Sequence, residues 1–113
     1  MTAPHHHLAF NTWKSAGGPP RPDGVAGLHH VALLFSSRAQ LADAVKRLVD
    51  ADVPLRQLTD HGTPLAVYLS DPDGNDLELT WDRPFDEWPR YDGGGTAFLD
   101  APFGLDDLLA AAR

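Results

Sequence analysis

The 113-residue sequence predicts an α+β fold built on a single βαβββ unit, and three observations point that way. The apolar run in "GVAGLHHVALLF", residues 24–35, is fit for a buried strand. Ser37 and Gln40 then stand three apart just ahead of an apolar stripe at helical spacing. Further on, two alternating segments, "PLAVYLS" and "DLELTWD", flank "DPDGN", whose proline and glycine suit a tight reversal.

Taken in order, residues 5–13, "HHHLAFNTW", read as a short strand ending in an aromatic. Lys14 to Gly27, "KSAGGPPRPDGVAG", is too rich in Pro and Gly for helix or central strand and reads as a crossing loop. A strand follows from Leu28 to Phe35. Ser37 caps the helix with Gln40 as its capping-box partner, Leu41, Val45, Leu48 and Val49 form its stripe, and it ends near Asp50. The short segment "PLRQLTDHG" leads to the two strands of the hairpin, closing at residue 82. The tail carries a glycine run at 93–95 and then "LDDLLAAAR", a short helix with leucines at 105, 108 and 109. The resulting plan is a strand at 1–13, a linker at 14–27, the βαβββ module at 28–90 and a tail at 91–113.

Composition narrows the function. A formal charge of −7 argues against a phosphate backbone or an anionic membrane surface as partner, so neither nucleic acid nor membrane is expected. With no cysteine, any metal must be held by His, Asp or Glu. No apolar run approaches the roughly 18 residues of a membrane span and no basic-then-apolar leader is visible, which makes the cytoplasm the default expectation.

Period-2 alternation sorts the side chains by face. His30 shares a face with Ala32 and Leu34, while Val31, Leu33 and Phe35 point toward the helix stripe. Glu78 sides with Asp76 and Thr80, opposite Leu77, Leu79 and Trp81; Tyr68 sides with Ala66 and Ser70, opposite Leu65, Val67 and Leu69. One face is therefore apolar and the other carries isolated polar groups among small neighbours, as in a sheet whose concave side lines a pocket. An unpaired buried imidazole costs free energy, so His29 and His30 are either satisfied by neighbours or hold something.

A βαβββ unit with "LHHVAL" on its first strand, "DHG" before its third, "VYLSDPDGN" into the hairpin and "LEL" on its last strand resembles the second half of a vicinal oxygen chelate domain, the glyoxalase, bleomycin resistance and extradiol dioxygenase superfamily. The likeness is to extradiol dioxygenases of the catechol 2,3-dioxygenase kind and covers residues 5 to about 90. It implies Fe(II), or Mn(II), held by two histidines and a glutamate with open positions for a catechol-like diol and O2. By residue match, His30 and Glu78 would be metal ligands. His6 would be the acid/base toward the diol, His61 a histidine close to the substrate, and Tyr68 a support for proton transfer. The family's first metal histidine sits on a preceding module, of which residues 1–13 resemble only the last strand. The resemblance thus implies a truncated or split chain, a complementing module, or a homodimer bringing two His30 and two Glu78 together.

Each residue also has a plain structural reading. His5 to His7 could come from a purification tag, His29 and His30 could bond to backbone at a strand edge, Glu78 could sit on a solvated face, Tyr68 could pack across strands, and His61 could serve turn chemistry. Other functions on the same scaffold are a metal-dependent isomerase or lyase, with Ni(II) or Zn(II) as alternative ions, a metal-free module trapping an aromatic ligand, and an inactive half-domain that only dimerises.

Overall fold

The computed structural model describes residues 5–113. Its elements run β1 (Val31–Leu34), α1 (Arg38–Asp50), β2 (Gln57–Asp60), β3 (Pro64–Ser70), β4 (Asp76–Asp82), a 3-10 turn (Phe85–Glu87), β5 (Ala101–Pro102) and α2 (Leu105–Leu109). The strands form one five-stranded sheet in the order β1-β4-β3-β2-β5. β1 lies parallel to β4, and the other pairings are antiparallel. The expected βαβββ unit is present.

Helix α1 starts where the capping chemistry requires. Ser37 is extended and its hydroxyl accepts from the Gln40 amide at 3.1 Å, satisfying one of the free first-turn donors. The Gln40 side chain reaches back to the amide of Ser36 rather than of Ser37, at 3.2 Å. Leu41, Ala42 and Val45 are fully buried against Leu65, Val67 and Leu69 of β3, Leu79 of β4 and Leu108 of α2. This core occupies the face opposite Tyr68 and Glu78, as the alternation predicts.

The β3–β4 reversal is organised by Asp71. Its carboxylate accepts from the amides of Asp73 and Asn75 and from the Asn75 side chain, at 3.0, 2.7 and 2.9 Å. Gly74 takes the left-handed conformation, at φ +83°, that the turn demands.

Two expectations are corrected and one strand is added. Residues 5–13 form no strand; they are exposed and have no neighbouring ladder to pair with, and a short apolar segment without a partner does not become a strand. The first strand of the module begins at Val31, not Leu28, and it is more exposed than its composition suggests: Leu33 is 36% and Leu34 66% exposed. The reason is topological, because β1 is an edge strand and α1 packs over β3 and β4. Finally, β5 pairs with β2 through Thr59–Pro102 and Asp60–Ala101. Two residues are too few to show any periodicity, and the proline suits an edge. Residues 14–27 form the expected loop, folded around Arg21, whose guanidinium donates to the carbonyls of Val25 and of Leu28 (3.1 Å to the latter). Helix α2 falls where the leucine spacing puts it, with Leu108 buried.

Candidate functional site

Pairing register assembles the polar face. Ala32 lies opposite Glu78 in the parallel β1–β4 ladder, Glu78 opposite Tyr68 in β4–β3, and Tyr68 opposite Gln57 in β3–β2. His30, two residues before Ala32 on the same face, reaches diagonally to Glu78, with Nε2 and Oε2 3.4 Å apart. The Glu78 side chain is 15% exposed and that of His30 35%.

The far side of Tyr68 is closed by His61, whose Nε2 lies 2.9 Å from the phenol oxygen with the two rings edge-on. Nδ1 of His61 is 3.3 Å from the carbonyl oxygen of Leu99. A carbonyl only accepts, so Nδ1 carries a hydrogen and donates; in the neutral ring Nε2 then holds the lone pair, and Tyr68 donates to it. Burial raises the Tyr68 pKa above that of an ordinary phenol, and the charges of Glu78 and Asp100 push it the same way. His30, Glu78, Tyr68 and His61 thus form one connected row.

Four of the five candidate residues are brought together and one is not. His6 is exposed, its Nδ1 lies 2.9 Å from Nδ1 of His5, and no hydrogen bond or ion pair joins it to the row. A recess of about 840 Å³ lies away from the row. It lies between the 11–29 loop and the β3–β4 turn, bordered by Arg21, His29, Asp73 and Asp76.

Residues of the site that sequence reasoning missed are Asp60 and Arg83. Asp60 Oδ1 accepts from the Gly62 amide at 2.8 Å, and both its oxygens take the Arg83 fork, each at 2.8 Å. Arg83 also donates to the Gly62 carbonyl at 2.9 Å. Burial opposes ionisation of Asp60, but the Arg83 hydrogen bonds, the Gly62 amide and the Arg83 charge outweigh it and hold the carboxyl below its ordinary range. An aspartate two residues before a glycine is a turn signal that could have marked Asp60. Arg83 has no such signal, because its meeting with Asp60 depends on strand register.

His30 and Glu78 fit two neighbouring positions on one metal ion. Ligand atoms at right angles on bonds of about 2.1 Å stand about 3 Å apart, close to the separation found here. Among the described residues no group of three or more His, Cys, Asp or Glu could hold a metal.

The sequence matches the model of the Glyoxalase/Bleomycin resistance protein/Dioxygenase superfamily over residues 1–79. The chain belongs to this superfamily. Among its members, a catechol-2,3-dioxygenase of Bacillus subtilis (strain 168) is 36% identical over 88 residues, 78% of this chain and 30% of the relative. A biphenyl-2,3-diol 1,2-dioxygenase 2 of Rhodococcus globerulus is 35% identical over 115 residues, 95% of this chain and 60% of its own length. A biphenyl-2,3-diol 1,2-dioxygenase 3 of the same organism is 35% identical over 79 residues, 70% and 42%. The chain therefore spans between about a third and three fifths of the superfamily relatives it matches. No helix among the described residues is long and apolar enough to cross a membrane.

Proposed function

We propose that this chain supplies one half of an extradiol-type ring-cleaving dioxygenase site. His30 and Glu78 bind Fe(II), a histidine of a second βαβββ module completes the ligand set, and the substrates are a catechol-like diol and O2. The observation that carries this reading is the row itself: a His–Glu pair at metal-ligand separation, 3.4 Å, joined through Tyr68 to a histidine of defined tautomer. When bound, such a metal lowers the pKa of the diol hydroxyls and takes up their negative charge.

The proton work falls to this chain's own side chains. With its pKa raised, the Tyr68 phenol stays protonated at neutral pH and can present its hydrogen to an oxygen of the substrate. His61 Nε2 is the acceptor into which that hydrogen otherwise points, and the Leu99 carbonyl keeps the lone pair on that nitrogen. His6, whose ring partner among the described residues is His5, is assigned no step.

A second reading is favoured by the outer edge of β1, which has no partner strand among the described residues. Two copies meeting there about a two-fold axis would offer two His30 and two Glu78, the paired set of a glyoxalase-type isomerase, for which Mn(II), Ni(II) or Zn(II) would also serve.

The test is anaerobic loading of the chain with Fe(II), alone and with a complementing first module, followed by oxygen uptake on catechol, mass in solution and metal per chain. Uptake that requires the second module supports the dioxygenase half-site. A homodimer with one metal per two chains and no oxygen uptake supports the isomerase reading, and full metal content in both His30→Ala and Glu78→Ala overturns both.

A further inference from the structure

His61 does not stand on a strand. It occupies the three-residue link between β2 and β3, where a backbone would ordinarily be free to shift, and yet its ring meets two partners at once. What holds it there is the structure around it. Asp60, immediately before it, caps the Gly62 amide and grips the Arg83 guanidinium through both oxygens; Arg83 returns a bond to the Gly62 carbonyl, and its own amide donates to the carbonyl of Thr63 at 2.8 Å. Every residue flanking the histidine is therefore tied to Arg83 directly or through Asp60. On the other side the His61 amide donates to Pro64 at 3.0 Å, and the Leu99 amide donates to the His61 carbonyl at 2.9 Å, which sets the Leu99 carbonyl in line with Nδ1.

Two further features tighten this arrangement. Gly62 is buried at φ +88°, and a Cβ there would fall 2.6 Å from Cγ of Pro89, so the link is pressed against the segment that leads to Leu99. Arg83 is itself held, because its carbonyl accepts from the indole of Trp88 at 2.8 Å. The Asp60–Arg83 pair is partly buried, with side chains 25% and 22% exposed, and it is bidentate, a geometry that an arginine fork satisfies and an ammonium does not.

We propose that Asp60 and Arg83 are positioning residues whose function is to hold the His61 ring between the Leu99 carbonyl and the Tyr68 hydroxyl, and so to fix its Nδ1–H tautomer. The use of that tautomer in proton transfer rests on the function proposed above; the fixing of it does not. Without the pair, the link is free to rotate the imidazole away from Leu99, the two neutral tautomers interconvert, and Tyr68 loses a constant acceptor.

The experiment reads the ring nitrogens of His61 by nitrogen-15 NMR in the full chain, without metal or substrate, in the native protein and in Arg83→Gln, Arg83→Lys and Asp60→Asn. The native ring is expected to show one protonated nitrogen, Nδ1, and one bare nitrogen, Nε2. In Arg83→Gln and Asp60→Asn the two signals should move toward each other as the tautomers mix. Arg83→Lys keeps the charge and the fold but cannot span both Asp60 oxygens and the Gly62 carbonyl, so it should mix the tautomers with a smaller loss of thermal stability than Arg83→Gln. An unchanged tautomer in Arg83→Lys and in whichever of the other variants folds, with only the melting temperature lowered, overturns the proposal and leaves the pair a structural ion pair. Because no turnover is measured, absence of dioxygenase activity in the native protein would sink the proposed function and leave this result intact.

Discussion

Tyr68 and Glu78 stand directly opposite each other in the β3–β4 ladder, so the phenol and the carboxylate are partners by register. Directly opposed side chains on one face lie within about 5.5 Å at Cβ, close enough for the charge of one to govern the ionisation of the other. Burial and the Glu78 charge both raise the Tyr68 pKa above its usual value near 10. Ultraviolet titration should therefore show Tyr68 ionising above pH 10 in the native protein. In Glu78→Gln its pKa should fall partway back, leaving the part due to burial. An identical titration curve in the two proteins would remove the coupling.

The His30–Glu78 pair should be separable from stability. Both side chains lie on the face away from the α1 core, so His30→Ala and Glu78→Gln should change thermal unfolding little. Each should weaken divalent metal binding at least tenfold, roughly the lower bound seen when even an outer partner of a ligand is lost. Mass spectrometry of metal per chain after dialysis gives the answer.

Core and edge leucines should behave differently in spite of their identical chemistry. Leu41→Ala removes a fully buried side chain and should cost roughly 2 to 5 kcal/mol. Leu33 lies on the edge strand and is 36% exposed, so Leu33→Ala should cost less, about 1 kcal/mol. Denaturant unfolding of the two variants in parallel checks the order.

Gly62→Ala should be among the more damaging small substitutions. The left-handed backbone disfavours any Cβ, and the added methyl would collide with the Pro89 ring. A loss of roughly 1 to 3 kcal/mol is expected by chemical denaturation.

Asp60 should contribute an acid-sensitive part of the stability. Its folded pKa lies below the ordinary carboxylate value, so its contribution is fully present above about pH 4 and is lost as pH falls through the lower folded value. Asp60→Asn should be less stable at neutral pH and should lack that segment of the acid limb in a series of melting curves.

Much of this arrangement is legible in the sequence because it follows from short-range rules. The Ser37 cap, the Leu41–Val45 stripe and the "DPDGN" reversal are local, and period-2 alternation puts Tyr68 and Glu78 on one face before any partner strand is known. Long-range register is a different matter. Nothing local in Arg83 tells that Pro64 pairs with Asp82 and so brings the guanidinium to Asp60. Residues 5–13 fail in the opposite sense: a strand is expected there, and no ladder receives it. His6 is tied to the row by the family likeness alone, and among the described residues its ring meets that of His5.

The parallel pairing of β1 with β4 bears on how a cell would load the protein. Strands joined in parallel cannot be closed by a hairpin, and here α1, β2 and β3 all lie in the chain between His30 and Glu78. During synthesis His30 leaves the ribosome well ahead of Glu78, and in that interval the nascent chain has an imidazole without its carboxylate. Under the proposed ligand set, the His30–Glu78 donor pair is complete only once the last strand of the unit has been made.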